Sequence, residues 1–171
     1  MKRYKIGMYG GSFNPLHNGH IKCILKALDL CDEVHLIIGD IPNMDDVDIH
    51  TKLQWFQSVF KEFKDRLVFH TLYDDRNQKS EYTLDKWLRD SNIIKAMVGK
   101  PIDVVFCGSD YEEKEMNPYK ICYPEQTIIY LDRYEDQISS SEFKKNIYLH
   151  KNWVPEVVFE YYLKLKTQLS S

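Results

Sequence analysis

The chain has 171 residues, of which 43% are hydrophobic and 29% charged, and its 23 basic and 26 acidic side chains give a formal net charge of −3. This composition is ordinary for a globular protein and excludes the disordered and membrane-spanning classes. The small negative charge argues against a surface that coats nucleic acid, so no nucleic-acid partner is expected. The length favours one domain over residues 1–171.

The first apolar run and the cysteines indicate in which cellular compartment the protein is expected. Gly10 and Gly11 interrupt the first apolar run too early for a secretory signal, and no stretch is long enough to span a bilayer, so no membrane partner is expected. The sequence leaves open whether the protein is a monomer or a homo-oligomer. Four cysteines without C-x-x-C spacing favour buried thiols in a reducing cytoplasm. They are Cys23, Cys31, Cys107 and Cys122.

Strand and helix patterns alternate along the chain. In chain order, the apolar periodicities predict a strand over 5–9, a helix over 18–29, a strand over 34–38, a helix over 51–63, a strand over 67–71, a helix over 83–97, strands over 102–107 and 126–131, and closing helices over 139–145 and 155–169. The segment 111–124 is predicted to be irregular. Four carboxylates in loops are predicted to be solvated: Asp45, Asp46, Asp74 and Asp75.

This alternation predicts an α/β fold with a doubly wound, right-handed parallel sheet in a single domain. Ligands of such sheets bind outside the carboxyl ends of the strands, beside the switch in strand order. Predicted strand ends at Gly10, Gly39 and Gly108, and the loop before Ser139, fall at that edge. The pattern therefore predicts one ligand crevice.

The segment 9–21, Y-G-G-S-F-N-P-L-H-N-G-H-I, joins the first predicted strand to the first predicted helix. Its paired glycines would let the backbone turn sharply and approach a ligand, and Pro15 would fix the chain. His17 and His20 fall at the start of the helix, where unpaired N–H groups and the macrodipole favour an anion. Two imidazoles at such a position predict phosphate chemistry.

The same segment resembles the H-x-G-H signature of the nucleotidylyltransferase superfamily, G-x-F-x-P-x-H-x-G-H. All six fixed positions are filled, by Gly11, Phe13, Pro15, His17, Gly19 and His20. The resemblance implies a Rossmann-like fold that binds a nucleoside triphosphate. It also implies contacts to the nucleotide from Gly10, Gly11, Ser12, Phe13 and Gly19, and a contact to the acceptor substrate from Asn14.

The segment 138–144, I-S-S-S-E-F-K, resembles the I-S-S/T-x-x-I-R motif that holds the outer phosphates in the same superfamily. Serines before an amphipathic turn are also good helix starters, so a plain helix cap is the alternative. Lys144 stands where the family usually has Arg, which keeps the charge and loses the two-pronged geometry. The resemblance implies further nucleotide contacts from Gly108, Asp110, Arg133, Ile138, Ser139 and Ser140.

The chemistry implied by the resemblance is nucleotidyl transfer with release of pyrophosphate. A substrate that already carries a phosphate attacks the α-phosphorus in line, and no general base is needed. His17 and His20 would donate hydrogen bonds to the α- and β-phosphates. Ser139, Ser140 and the third candidate catalytic residue, Lys144, would hold the leaving pyrophosphate. Mg²⁺ would enter with the triphosphate, held through water and phosphate oxygens, and no metal cage made by the protein is expected.

Along nearly the whole chain the resemblance is closest to the nicotinamide mononucleotide adenylyltransferase domain of the NadR type, which implies ATP and nicotinamide mononucleotide as substrates. It rests on segment 31–39, on Trp55 and Trp87 in the second and third helices, and on the closing segment 152–157, N-W-V-P-E-V. Trp87 would stack on the pyridine ring, with core packing as the alternative, and Trp55 is expected in the core. The family usually has Arg where Lys52 stands.

Two other functions stay open. One is a cytidylyltransferase that activates a polyol, sugar or lipid-head phosphate with CTP, because segment 102–145 is similar to glycerol-phosphate cytidylyltransferases. Those enzymes have Gly where this chain has Gln137, and their Arg lies one residue nearer to the second motif than Arg133 does, so the spacing favours ATP. The other is a regulatory nucleotide-binding module without turnover, against which the intact His17 and His20 argue.

Overall fold

The computed structural model describes residues 3–132 and 138–170. Within them five strands form one sheet: β1 (Tyr4–Gly11), β2 (Cys31–Asp40), β3 (Leu67–Tyr73), β4 (Val104–Gly108) and β5 (Thr127–Leu131). Neighbouring strands are all parallel, in the order β3-β2-β1-β4-β5. The predicted parallel, doubly wound α/β fold is therefore confirmed.

The helices connect and cover these strands. They are α1 (Asn18–Leu30), α2 (Ile49–Val59), α3 (Leu84–Val98), α4 (Pro118–Cys122), α5 (Ser140–Lys145) and α6 (Glu156–Ser170). Polar side chains start several of them, since Asp48, Thr83 and Ser139 each accept a hydrogen bond from a backbone N–H group in the first turn. At its other end α3 stops at Gly99, whose φ of 69° is the left-handed conformation that glycine adopts readily.

Two predicted elements differ from the structure. The second helix ends at Val59 instead of residue 63, because Phe60 leaves helical geometry (φ −109°, ψ 24°) and a 3₁₀ turn follows (Lys61–Phe63). The segment 111–124 is not wholly irregular, because it contains α4. Asn117 starts α4 by accepting a hydrogen bond of 3.0 Å from the Tyr119 N–H. A helix this short has too few turns to show a periodic pattern in the sequence.

Successive strand residues face two hydrophobic cores on opposite sides of the sheet. Leu36 and Phe106 belong to the larger core, which α1, α2, α5 and α6 cover. Ile37 and Val105 belong to the smaller one, which α3 and α4 cover. The four cysteines are buried free thiols, as expected, and burial raises the pKa of the Cys31 thiol to about 11, which makes it a poor nucleophile.

The strand order reverses beside β1. The chain reaches β2 and β3 on one side through α1 and α2, and β4 and β5 on the other side after α3. The carboxyl ends of β1 and β4, at Gly11 and Gly108, therefore border the crevice in which such sheets bind ligands. No helix in the described part of the chain combines the length and apolar character that a membrane crossing needs.

Candidate active site

The turn after β1 differs from its prediction. Gly10 and Gly11 are the last residues of β1 and not part of the turn. The turn begins at Ser12 and contains a cis peptide bond between Asn14 and Pro15. Its left-handed position falls on Phe13, with φ of 49°, which costs about 1–3 kcal/mol and persists only where packing holds it. A Cβ on Gly11 would lie 3.1 Å from the Phe13 ring, which is tighter than most contacts of a Cβ, so any other residue at this position would press on that ring.

Phe13 is held by aromatic contacts on several sides. Its ring is almost fully buried and meets Phe56 of α2 edge-on at 4.9 Å between centroids. It meets His20 edge-on at 4.8 Å and Tyr9 at 5.9 Å. Packing of this kind is typical of aromatic cores. The first motif is therefore anchored in the larger core and carries one of its histidines against Phe13.

His17 and His20 cap α1 reciprocally. His17 Nδ1 accepts from the N–H groups of Gly19 (3.0 Å) and His20 (3.4 Å), and His20 Nδ1 accepts from the His17 N–H (3.2 Å). The two rings are stacked, with centroids 3.7 Å apart, and both are buried. Because each Nδ1 accepts, each ring is neutral and carries its proton on Nε2. The helix cap therefore directs the proton of each imidazole to Nε2, and an N–H group of this kind is a donor suited to a phosphate oxygen.

The second motif lies beside the first. Ser140 Oγ donates to the Pro15 main-chain oxygen at 3.2 Å, which joins the start of α5 to the turn after β1. Ser139 is the N-cap of α5 and accepts from the Glu142 N–H at 3.2 Å, and Ile138 is buried just before it. The structure thus brings together the two segments that the sequence pairs, and Arg133 lies outside the described residues.

Lys144 lies one helical turn after Ser140 and on the same face of α5. Its Nζ donates to the Asp46 carboxylate at 2.7 Å. Asp46 is further engaged through its main chain, whose N–H donates to Asn14 Oδ1 at 3.0 Å and whose oxygen accepts from the Tyr161 hydroxyl at 2.9 Å. Asp46 is exposed, as predicted, but it is more than a solvated charge, because this residue also joins the first motif, α5 and α6.

Asp45 was also predicted to be solvated, but its side chain is only 4% exposed. Its Oδ2 accepts from Lys52 Nζ at 2.7 Å and from the Ile41 N–H at 2.9 Å. Lys52 is fully buried, and its Nζ donates as well to the main-chain oxygens of Ser12 (2.6 Å) and Gly39 (2.7 Å). Burial lowers the pKa of Lys52, and the Asp45 carboxylate opposes that change.

The sequence did contain a signal for this buried pair. Lys52 precedes Trp55 and Phe56 by three and four residues, which places it on the same inward face of α2. Trp55 and Phe56 are both in the core, as expected for Trp55. A lysine on such a face needs a buried counter-charge, and Asp45 in the preceding loop supplies it.

The carboxyl end of β4 forms the other wall of the crevice. Gly108 ends β4 and is buried, and Asp110 follows in an exposed 3₁₀ turn (Ser109–Tyr111). Trp87 of α3 is partly buried and packs edge-on against Tyr119 at 5.0 Å and Tyr111 at 6.1 Å. Trp87 therefore packs against the smaller core, beside the turn that carries Asp110.

The loop after β3 departs from its prediction at one position. Asp74 is buried, its N–H donates to the Asp40 main-chain oxygen at 2.9 Å, and its Oδ1 accepts from the Arg76 N–H at 2.8 Å. The neighbouring Asp75 side chain is 77% exposed, in line with the prediction. Asp74 therefore fixes the loop to the end of β2 and is not a solvated charge.

The described residues, 3–132 and 138–170, hold no group of three or more His, Cys, Asp or Glu side chains that could bind a metal ion. Mg²⁺ that arrives with a triphosphate keeps its phosphate oxygens and several waters, and needs one or two carboxylates at most. The exposed carboxylate of Asp110 at the carboxyl end of β4 suits that requirement.

The chain is similar to several characterised proteins. It is 27% identical over 149 residues to the phosphopantetheine adenylyltransferase of Mycoplasma mycoides, which covers 86% of this chain and 99% of that protein. It is 23% identical to the trifunctional NAD biosynthesis/regulator protein NadR of Salmonella typhimurium, over 95% of this chain and 42% of NadR.

A solved structure has the same fold. The bifunctional NMN adenylyltransferase/ADP ribose pyrophosphatase of Francisella tularensis, complexed with AMP and a manganese ion, superposes with a TM-score of 0.63 at 24% identity, over 88% of this chain and 44% of that one. The family model described as cytidylyltransferase-like matches residues 8–146, which include both motifs. The chain therefore belongs to the cytidylyltransferase-like family of nucleotidyltransferases.

Proposed function

We propose that this protein transfers the adenylyl group of ATP to nicotinamide mononucleotide and releases pyrophosphate. The observation that carries the proposal is the reciprocal cap of α1, in which His17 and His20 each accept a backbone hydrogen bond at Nδ1. This cap directs both imidazole protons to Nε2 at the positive end of α1. A pair of fixed neutral donors at a helix start suits the charge that develops on a reacting phosphate.

The reaction needs positioning more than proton transfer. An oxygen of the acceptor phosphate forms a bond to the α-phosphorus of ATP, the bond from that phosphorus to the β-bridging oxygen breaks, and pyrophosphate carries away the electron pair. His17 and His20 stabilise the α- and β-phosphate oxygens during this exchange. Ser139, Ser140 and Lys144 hold the leaving pyrophosphate. Asp110 would help to hold Mg²⁺, which would neutralise phosphate charge when bound.

Several observations favour ATP and a pyridine nucleotide. The relative from Mycoplasma mycoides and the protein from Francisella tularensis are named as adenylyltransferases, and NadR is named as an NAD biosynthesis protein. The NadR-type resemblance extends along nearly the whole chain. The residue before the second motif is Gln137 and not the Gly of glycerol-phosphate cytidylyltransferases. Trp87 is partly exposed beside the Asp110 turn, where an aromatic face would stack on a flat pyridinium ring.

A second candidate acceptor is phosphopantetheine. The relative from Mycoplasma mycoides is named phosphopantetheine adenylyltransferase, and 99% of its length aligns with this chain. The chemistry at the phosphates would be the same, because both acceptors offer a phosphate oxygen to the α-phosphorus. The two candidates therefore differ in the pocket for the remainder of the acceptor and not in the histidine pair.

The test is a competition with purified protein and Mg²⁺. ATP and CTP are offered together with nicotinamide mononucleotide, nicotinic acid mononucleotide, phosphopantetheine and glycerol 3-phosphate, and the products are identified by mass. We expect a dinucleotide that contains AMP and nicotinamide mononucleotide. If the product is dephospho-coenzyme A, phosphopantetheine is the acceptor and not nicotinamide mononucleotide. A CDP-linked product without any dinucleotide would contradict the proposal.

A further inference from the structure

Lys52 joins three segments that end at the edge of the crevice. Its acceptors are the main-chain oxygen of Ser12, directly after β1, that of Gly39, near the end of β2, and the carboxylate of Asp45 in the following loop. An ammonium group has three donors, and each one here has its own acceptor. A neutral amine would turn a lone pair toward an oxygen, so the charged form is the one that fits.

The strand ends that Lys52 joins are in close contact. A Cβ on Gly39 would lie 3.3 Å from the Cα of Ser12 and 3.4 Å from the main-chain oxygen of Gly11. The first distance is tighter than most contacts of a Cβ, so a side chain at Gly39 would require the Ser12 backbone to move by a few tenths of an ångström. The Lys52 ammonium closes the same junction from the side of α2.

A short chain of contacts leads from Lys52 to the histidine pair. Ser12 precedes Phe13, whose left-handed backbone depends on its surroundings. The Phe13 ring meets His20 at 4.8 Å and Phe56 at 4.9 Å, and Phe56 lies one turn after Lys52 on α2. Helix α2 therefore supports the turn at two points, by a hydrogen bond to Ser12 and by ring packing on Phe13.

We propose that Lys52 is a positioning residue for the nucleotidyl transfer, which fixes the Ser12–Phe13 backbone and through it the ring of His20. Lys52 is fully buried and hydrogen-bonded to protein atoms with all three donors, so it acts through these neighbours and does not bind phosphate. The inference deepens the proposed function and rests on it, because it assigns the support of the same phosphate site.

The first test compares Lys52→Met, Lys52→Arg and a matched control. Lys95→Met removes another lysine that donates to a main-chain oxygen, that of Cys122 at 2.8 Å, on the side of α3 and α4. We expect Lys52→Met to lower kcat by about 10- to 100-fold, since small misplacements of reacting groups have effects of this size. The KM for ATP should stay within about threefold of wild type, because ground-state contacts to the nucleotide remain.

The other two variants separate positioning from stability. Lys52→Arg keeps the charge and several donors, and should restore most of kcat. Lys95→Met should lower the melting temperature and leave kcat and KM unchanged. A folded Lys52→Met protein with kcat within twofold of wild type would overturn the inference, and so would an equal loss of kcat in Lys95→Met.

A second variant decides the question if Lys52→Met does not fold. Gly39→Ala pushes a methyl group against Ser12 at the same junction and leaves the Lys52–Asp45 pair in place. We expect a loss of kcat of about tenfold with little change in the KM for ATP. Wild-type kcat in Gly39→Ala would contradict the inference, because the junction could then shift without disturbing His20.

Failure of the proposed function is recognised separately, in the wild-type protein. If wild-type protein forms no product with any acceptor, the ring-nitrogen NMR signals of His20 replace kcat as the readout, since they report its tautomer and hydrogen bonding. Positioning by Lys52 predicts that these signals move in Lys52→Met and Gly39→Ala and not in Lys95→Met. Unmoved His20 signals in both site variants would refute the role of Lys52 even without an assay.

Discussion

Lys144 donates to Asp46 at 2.7 Å, so the lysine proposed to hold pyrophosphate is paired with a carboxylate of the β2–α2 loop. Phosphate oxygens are also charge-assisted acceptors for this ammonium, so a bound triphosphate would compete with Asp46 for Lys144. Lys144→Ala should therefore raise the KM for ATP by about tenfold or more, which is the usual worth of a hydrogen bond to a charged group. Lys144→Arg should preserve it. Steady-state kinetics at varied ATP concentration measure both.

The neighbouring lysine is the control for that experiment. Lys145 pairs with Glu142 at 2.7 Å, and its side chain is 70% exposed. Lys145→Ala should leave the KM for ATP at its wild-type value, because surface pairs of this kind contribute little. If Lys144→Ala and Lys145→Ala respond alike, α5 contributes only a helix cap and Lys144 has no special role.

A second cluster of titratable residues lies in the sheet, outside the crevice. His35 of β2 is buried, its Nδ1 is 2.8 Å from His70 Nε2 in β3, and its Nε2 is 2.7 Å from Glu33. Burial and the neighbouring His35 lower the pKa of His70 below its usual 6.5. The hydrogen bond from His35 lowers the pKa of Glu33 below 4.5, so Glu33 changes its charge at a more acidic pH than His70 does.

The sign of the pH effect follows from the lowered pKa of His70. Below about pH 6.5 the unfolded chain takes up a proton at this position before the folded protein does, so the free energy of unfolding falls as the pH drops. His70→Gln can still donate to His35 and does not titrate, so its unfolding free energy should depend less on pH between about 6.5 and 5. Urea unfolding across this range measures the slope, and an unchanged slope in the variant would contradict the assignment.

At the scale of elements, α2 supports the crevice through the position of Lys52. Its N-cap is Asp48, which accepts from the Thr51 N–H at 2.8 Å, and this bond lowers the pKa of the Asp48 carboxyl. Asp48→Ala should reduce the free energy of unfolding by about 1 kcal/mol, the usual cost of losing such a cap. Because Lys52 is held by its own three bonds, kcat below the unfolding temperature should not change.

Chemical denaturation and a kinetic assay of the same Asp48→Ala preparation check both parts of that prediction. A large fall in kcat would mean that the register of α2, and not the Lys52 contacts, sets the crevice. Variants of Asp48 and of Lys52 therefore distinguish two ways in which α2 can support the site: through its register and through the hydrogen bonds of Lys52.

Elements with a strong period were predictable from the sequence, and the weaker ones were not. Short apolar runs in the sequence predicted each of the five strands in the described residues. Strands buried on both faces have nearly continuous apolar sequences, so such runs are easy to recognise. The predicted ends fell short by a few residues, as in β1, which continues through Gly10 and Gly11. Gly10 and Gly11 adopt the extended conformation of a strand. The sequence suggested a turn there because glycine adopts both extended and turn conformations readily.

The candidate site was predictable where one short segment contains it. The histidine pair lies in one helix start, so its spacing alone predicted that both rings lie at the start of α1. Contacts between distant segments were not predictable, because Lys144 and Asp46 are 98 residues apart. The spacing of Lys52 from Trp55 and Phe56 signals that Lys52 is buried, but its contact with the main-chain oxygen of Ser12 was not predictable. These contacts follow from how α2 and α5 pack on the end of the sheet, which no local pattern reports.

At the scale of the whole molecule, the topology places the two motifs at one edge. The reversal of strand order beside β1 opens the crevice between the ends of β1 and β4. The contact of Ser140 with Pro15 then closes α5 over the turn that leads into α1. The fold therefore brings together the two motifs of the proposed phosphate site through residues 125 positions apart.

The most direct measurement of the central claim is the rate of pyrophosphate release in a single turnover by wild type, His17→Ala, His20→Ala and the double variant. Each histidine supports the other through the reciprocal cap, so the pair should act as one unit. Each single variant should lose roughly 10²–10³ in rate, the usual cost of a lost donor to developing charge, and the double variant should lose little more. Rates within a few-fold of wild type, or losses that simply multiply in the double variant, would contradict the account.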